Sequence, residues 1–183
     1  MTTIVGIQHE NYCEIHVDSR ITDDDGRIYS HPDMKKYAQR GAFVIAGSGE
    51  VLPCDIAQNV WTPPKPTEYD KNNPYKFMIT KAMPSLRKTL INNGYNFDEP
   101  KEKNDVRFHF IIAFNGELFD VDQELTVTRD ESGLYAVGSG APYALGALLM
   151  GADGEEALDA AAKISVYTAP PFYSIVQQPK KIK

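Results

Sequence analysis

The order in which hydrophobic periodicity changes along the chain is what most limits the folds open to it. Residues 12–18 alternate strictly, with Cys13, Ile15 and Val17 on one side and Tyr12, Glu14, His16 and Asp18 on the other, the repeat of a half-buried strand. Residues 3–7 also read as a strand, and the polar stretch between the two suits a hairpin. A turn centred near Glu10 sets residues whose numbers sum to about 20 opposite each other, placing Thr2 across from Asp18. Residues 41–47 carry Phe43, Val44 and Ile45 in succession, as in a strand covered on both faces.

The period then lengthens. Residues 50–61 predict a helix, and after the connector 62–73, rich in Pro and Asn, Phe77, Ile79, Ala82, Met83, Leu86 and Leu90 recur near helical spacing. Pro84 is expected to kink that helix or shift its start. Residues 107–114 and 117–121 return to strands joined at Asn115-Gly116, a hairpin pair because both residues tolerate positive φ. Residues 134–137 continue the sheet, 141–150 and 154–164 are helices rich in Ala and Leu, and 165–167 and 172–176 read as closing strands. The order of strands, two helices, strands, two helices, strands excludes a simple alternating parallel fold. It favours an α+β chain of two packed antiparallel sheets with helices outside them.

The 183 residues, 42% hydrophobic and 24% charged, fit one soluble domain spanning 1–183. A net charge of −6 argues against nucleic-acid binding, which needs concentrated Lys and Arg; the one basic run is the tail Lys180, Lys181 and Lys183. No apolar run approaches the roughly 20 residues of a membrane span, and the first residues lack a secretory pattern, so a cytoplasmic protein is expected. Cys13 and Cys54 sit among apolar or β-branched neighbours and read as buried thiols. His9, His16, His31 and His109 are scattered without zinc-ligand spacing, and Asp23-Asp24-Asp25-Gly26 has Met34 where a calcium loop needs its twelfth-position glutamate. Gly138-Ser139-Gly140 lacks the further glycine and lysine of a phosphate loop. No cofactor and no metal are predicted.

A methionine ahead of a threonine is readily trimmed, so the mature chain is expected to begin at Thr2. A terminal threonine holds a hydroxyl nucleophile and an α-amine whose ordinary pKa of about 7.7 to 8.0 suits a general base. Thr2-Thr3-Ile4-Val5-Gly6, then Asp18-Ser19-Arg20-Ile21-Thr22, then Lys35-Lys36 before Phe43-Val44-Ile45-Ala46-Gly47 together resemble the proteasome β-subunit family. Residues 135–144, around Gly138-Ser139-Gly140, and Ile164-Ser165-Val166-Tyr167-Thr168 extend the resemblance and look most like the HslV peptidase of bacteria.

The resemblance implies a four-layer αββα sandwich of the N-terminal nucleophile hydrolases, in agreement with the element order. It implies Thr2 as nucleophile, with its freed amine taking the proton through a water. Asp18 and Lys36 would tune them; Lys36 is preferred to Lys35 as the second of a Lys-Lys pair, with the spacing to Phe43 leaving both in play. Gly47 would offer its N–H to an oxyanion, its missing Cβ admitting substrate, and Ser139 would hold the amine. Ser165 stands where many β subunits place an aspartate, which leaves amine positioning to Ser139 and Thr168. The implied activity is a threonine-type endopeptidase acting on unfolded polypeptide, in a homo-oligomeric ring served by an ATP-dependent unfoldase. The alternatives are an inactive proteasome-like structural or assembly protein, in which a retained Met1 would turn the amine into an amide, and a small-molecule amidohydrolase of the same superfamily.

Overall fold

The computed structural model describes residues 2–23, 25–29, 31–98 and 107–179. Met1, Asp24 of the acidic turn and the basic tail lie outside the described residues.

The opening hairpin forms as expected from β1 (Thr3–Gln8) and β2 (Cys13–Val17), but its register differs by one. Ile4 faces Val17, so paired numbers sum to 21 because the loop is the two-residue turn Glu10-Asn11, closed by His9 N–H donating to the Tyr12 carbonyl at 2.9 Å. A one-residue slip exchanges the faces of a strand. Asp18 therefore stands across from Thr3, not Thr2, and its N–H donates to the Thr3 carbonyl at 3.2 Å.

A small hairpin, β3 (Ile21–Thr22) with β4 (Ile28–Tyr29), rises from the loop after β2. β5 (Tyr37–Arg40) and β6 (Phe43–Gly49) turn at Gly41-Ala42, so the strand expected over 41–47 starts and ends two residues later. β7 (Phe108–Phe114) and β8 (Glu117–Val121) join at Asn115 (φ 54°) and Gly116 (φ 84°), the positive pair that the dipeptide predicts. With β9 (Val127–Thr128) they complete a sheet ordered β5-β6-β7-β8-β9. β10 (Leu134–Gly138) does not continue that sheet. It pairs with β1, and β11 (Tyr173–Gln177) pairs with β2, giving a second antiparallel sheet ordered β10-β1-β2-β11. Residues 165–167 form a turn rather than the strand expected there, with Thr168 N–H donating to the Ser165 carbonyl at 3.2 Å.

Helices cover both outer faces. α1 (Val51–Asp55) widens into a π-helical turn (Ile56–Val60). The connector holds α2 (Glu68–Asn72), and beyond it α3 (Pro74–Phe77), a second π-helical turn (Met78–Ala82) and α4 (Met83–Asn92) run on. Pro84 has no N–H to return to the Thr80 carbonyl, and the helix accommodates it by widening just ahead of it. α5 (Ala141–Leu149) and α6 (Gly154–Ile164) lie on the other sheet. The three buried clusters separate the layers: Phe43, Trp61, Phe77, Leu86 and Phe114 under α1–α4; Ile4, Ile15, Val44, Ile111 and Val137 between the sheets; Val5, Ala144, Leu148 and Leu158 under α5 and α6. The result is the αββα sandwich.

Candidate active site

Thr2 stands immediately before β1 and is 6% exposed. Its neighbour across the ladder is the end of β10, where Thr3 pairs with Gly138. Gly138 has φ +94°, and a Cβ there would lie 2.0 Å from the Thr2 carbonyl oxygen, so only glycine lets the chain turn this close to Thr2. Gly140 is equally constrained, because a Cβ would sit 2.2 Å from Thr3 Oγ1.

Asp18, just past β2, is fully buried and saturated with donors. Oδ1 accepts from Thr3 N–H at 2.9 Å and from Lys36 Nζ at 2.7 Å, while Oδ2 accepts from the N–H groups of Arg20 at 3.0 Å and Ala169 at 3.3 Å. Lys36 Nζ also donates to the Arg20 carbonyl. Burial pushes the lysine below its ordinary range, and the Asp18 carboxylate opposes that shift. Of the adjacent lysines, Lys36 is 7% exposed and enters the site, whereas Lys35 is exposed, with its ammonium 5.9 Å from the ring centres of Tyr37 and Tyr173.

Three placements differ from expectation. Gly47 N–H donates to the Lys36 carbonyl at 3.1 Å, since the β5–β6 ladder runs one pair beyond Tyr37. The space a Cβ would take at Gly47 is filled by Cys54 Sγ at 2.8 Å and the Phe110 ring at 2.9 Å, so packing against the helix layer, not admission of substrate, requires the glycine. Ser139 Oγ donates to the Thr2 carbonyl at 3.3 Å rather than to its nitrogen. Thr168 Oγ1 lies 2.5 Å from Thr3 Oγ1 and ties the segment after α6 to the second residue of the site. Thr3 is the participant that sequence reasoning missed. The one available signal was the hairpin register, because a sum of 21 puts Thr3 opposite Asp18.

Thr2, Thr22, Lys36, Gly47, Gly49 and Ser139 share the walls of a cleft of about 1350 Å³. Cys54 also lines it, its thiol pushed up to about 12 by burial and kept neutral; Cys13, in the inter-sheet core, is likewise raised to about 12. Among the described residues no cluster of three His, Cys, Asp or Glu could hold a metal ion, and no helix is long and apolar enough to cross a membrane.

No protein-family model matches the sequence, and no curated protein matches it. Solved structures do. BPH of Thiobacillus denitrificans, in complex with epoxomicin, is 19% identical with a TM-score of 0.66, over 98% of this chain and 100% of its own. Eukaryotic HslV from Trypanosoma brucei is 16% identical with a TM-score of 0.62, over 96% and 99%. A Gly-1 mutant of Anbu from Hyphomicrobium sp. strain MC1 is 18% identical with a TM-score of 0.64, over 97% and 82%. The chain has the proteasome-like fold of the N-terminal nucleophile hydrolases along nearly its whole length.

Proposed function

We propose that this chain is a threonine-type peptidase subunit in which Thr2, once freed of Met1, is the nucleophile. The observation that carries the reading is the buried Lys36–Asp18 pair beside Thr2-Thr3, with Lys36 and Thr2 lining a cleft open to solvent. An ammonium at 6% side-chain exposure, held by a carboxylate at 0%, is a preorganised positive charge that lowers the cost of an alkoxide forming next to it. Thr2 Oγ1 gives its proton through a water to the terminal amine and bonds to the scissile carbonyl carbon. The scissile C–N bond breaks as the leaving amine takes that proton. Water then attacks the acyl ester with the Thr2 α-amine as base, the ester C–O bond breaks, Thr2 Oγ1 recovers the proton and the new carboxyl terminus departs.

The oxyanion competes for the Gly47 N–H. Releasing that N–H from the Lys36 carbonyl leaves the carbonyl satisfied, because Gln58 Nε2 donates to it as well, at 3.1 Å. The cleft's size favours an extended polypeptide over a small amide, whose pockets run to about 300–1,000 Å³. A ring of copies and an ATP-dependent unfoldase follow from likeness to HslV and belong to this proposal.

The test is covalent. A β-lactone should label the native protein on a peptide beginning at Thr2 and should not label Thr2→Ala, with epoxomicin, the molecule seen on BPH, blocking peptide cleavage in parallel. Equal labelling of both proteins removes Thr2 as nucleophile. Native protein that retains Met1 throughout points instead to the inactive structural reading, which the engaged Gly47 N–H favours.

A further inference from the structure

On the outer face of the β10-β1-β2-β11 sheet, away from the cleft, three side chains form a chain of hydrogen bonds that the proposed peptidase does not use. Ser174 of β11 is paired directly with His16 of β2, and Ser174 Oγ lies 2.8 Å from His16 Nδ1. His16 Nε2 lies 2.9 Å from Glu14 Oε2. Strand alternation puts all three on one face, since Glu14 and His16 are two residues apart and Ser174 is the cross-strand partner. The other carboxylate oxygen, Glu14 Oε1, is 3.3 Å from His9 Nε2.

Donor and acceptor roles follow from chemistry. An ionised carboxylate only accepts, so in the neutral ring His16 carries its hydrogen on Nε2 and presents a lone pair at Nδ1. The Ser174 hydroxyl must then donate to Nδ1. The imidazole is held rigidly, being 7% exposed and pressed against the first turn of α6, where a Cβ on Gly154 would come within 2.2 Å of it. Ser174 is exposed, and on the same face, two residues along, Val176 is 55% exposed.

We infer that Ser174, His16 and Glu14 are a second acyl-transfer site, for small activated esters approaching from solvent, with Ser174 as nucleophile, His16 as base and Glu14 fixing the ring. Ser174 Oγ bonds to the ester carbonyl carbon as its proton passes to Nδ1. The bond to the leaving alkoxide breaks, and that alkoxide takes the proton. Water attacks the acyl-serine, giving one proton to Nδ1; Ser174 recovers it as the carboxylic acid departs. Glu14 stabilises the transient imidazolium, the part played by the acid in a Ser-His-Asp triad, although here the two ring nitrogens exchange roles. Val176 supplies an apolar ledge for the acyl or aryl group.

The test uses full-length Thr2→Ala, which removes the proposed peptidase nucleophile, so neither reading depends on the other. That protein should hydrolyse p-nitrophenyl acetate, and a fluorophosphonate should label the peptide holding Ser174. Adding Ser174→Ala, at an exposed position, should abolish the label and lower hydrolysis about tenfold or more with unchanged thermal unfolding. Glu14→Gln should lower hydrolysis while leaving Ser174 in place. Equal hydrolysis and labelling with and without Ser174, or no reaction in Thr2→Ala above buffer, would overturn the assignment.

Discussion

Two lysine–aspartate pairs of nearly equal length behave in opposite ways. Lys36 and Asp18 meet at 2.7 Å beside the cleft with side-chain exposures of 6% and 0%; Lys81 and Asp70 meet at 2.8 Å at the start of α2 with exposures of 48% and 4%. At the cleft, burial falls on the cation, and the Lys36 ammonium is lowered from its ordinary range. At the helix, the carboxylate shifts: hydrogen bonds from Lys81 first, then from Thr67 in the capping box, hold Asp70 at about 2. Contact distance says little about what an ion pair does: burial shifts the Lys36 ammonium, whereas hydrogen bonds shift the Asp70 carboxylate.

The largest expected difference is in stability. Asp18→Ala removes the counter-charge of a buried ammonium and the acceptor of three backbone N–H groups, and should cost about 3–5 kcal/mol in denaturant unfolding. Asp70→Ala should cost clearly less, because half-exposed Lys81 rehydrates; equal losses would break the comparison. Next is catalysis. Lys36→Met should lower peptide cleavage about 10²-fold or more while the protein stays folded, since Asp18 keeps its backbone donors, and Lys81→Met should leave cleavage unchanged. Full activity in Lys36→Met would detach the pair from the chemistry.

The smallest effect is in pH dependence. Because Lys36 has a folded pKa below its unfolded value of 10.5, folding penalises its charged form below that folded pKa. As pH rises through the folded pKa towards 10.5, the penalty disappears and stability relative to Lys36→Met should rise while cleavage falls. The Asp70 pair also gains stability with rising pH, but at the acid end and as a stabilisation rather than a relieved penalty. Its stabilisation is complete above 3.8 and is lost as pH falls through about 2, so Asp70→Asn should flatten that acid limb. A pH-independent difference between wild type and Lys36→Met would sharpen the assignment away from Lys36 titration.

Much of the sandwich was legible because local rules sufficed. The alternation of residues 12–18, the Asn115-Gly116 turn and the helical recurrence from Phe77 to Leu90 each describe one element whose periodicity reports its own burial. Elements whose state depends on partners were misread. Residues 134–137 carry no mark of which sheet they enter, and residues 165–167 are apolar enough for a strand yet lie in a turn, with Val166 69% exposed.

The same division runs through the site. The layered architecture came from the order of periodicities, and Thr2, Asp18, the Lys-Lys pair, Gly47 and Ser139 came as candidates from the resemblance to the proteasome β-subunit family, because motif order along a chain is a one-dimensional property. The burial of Lys36 rather than Lys35, the opposition of Asp18 to Thr3 and the engagement of Gly47 with Lys36 were decided only when the sheets met. Each depends on which side of a strand faces inward, and a single-residue change in loop length reverses that side without altering any local pattern.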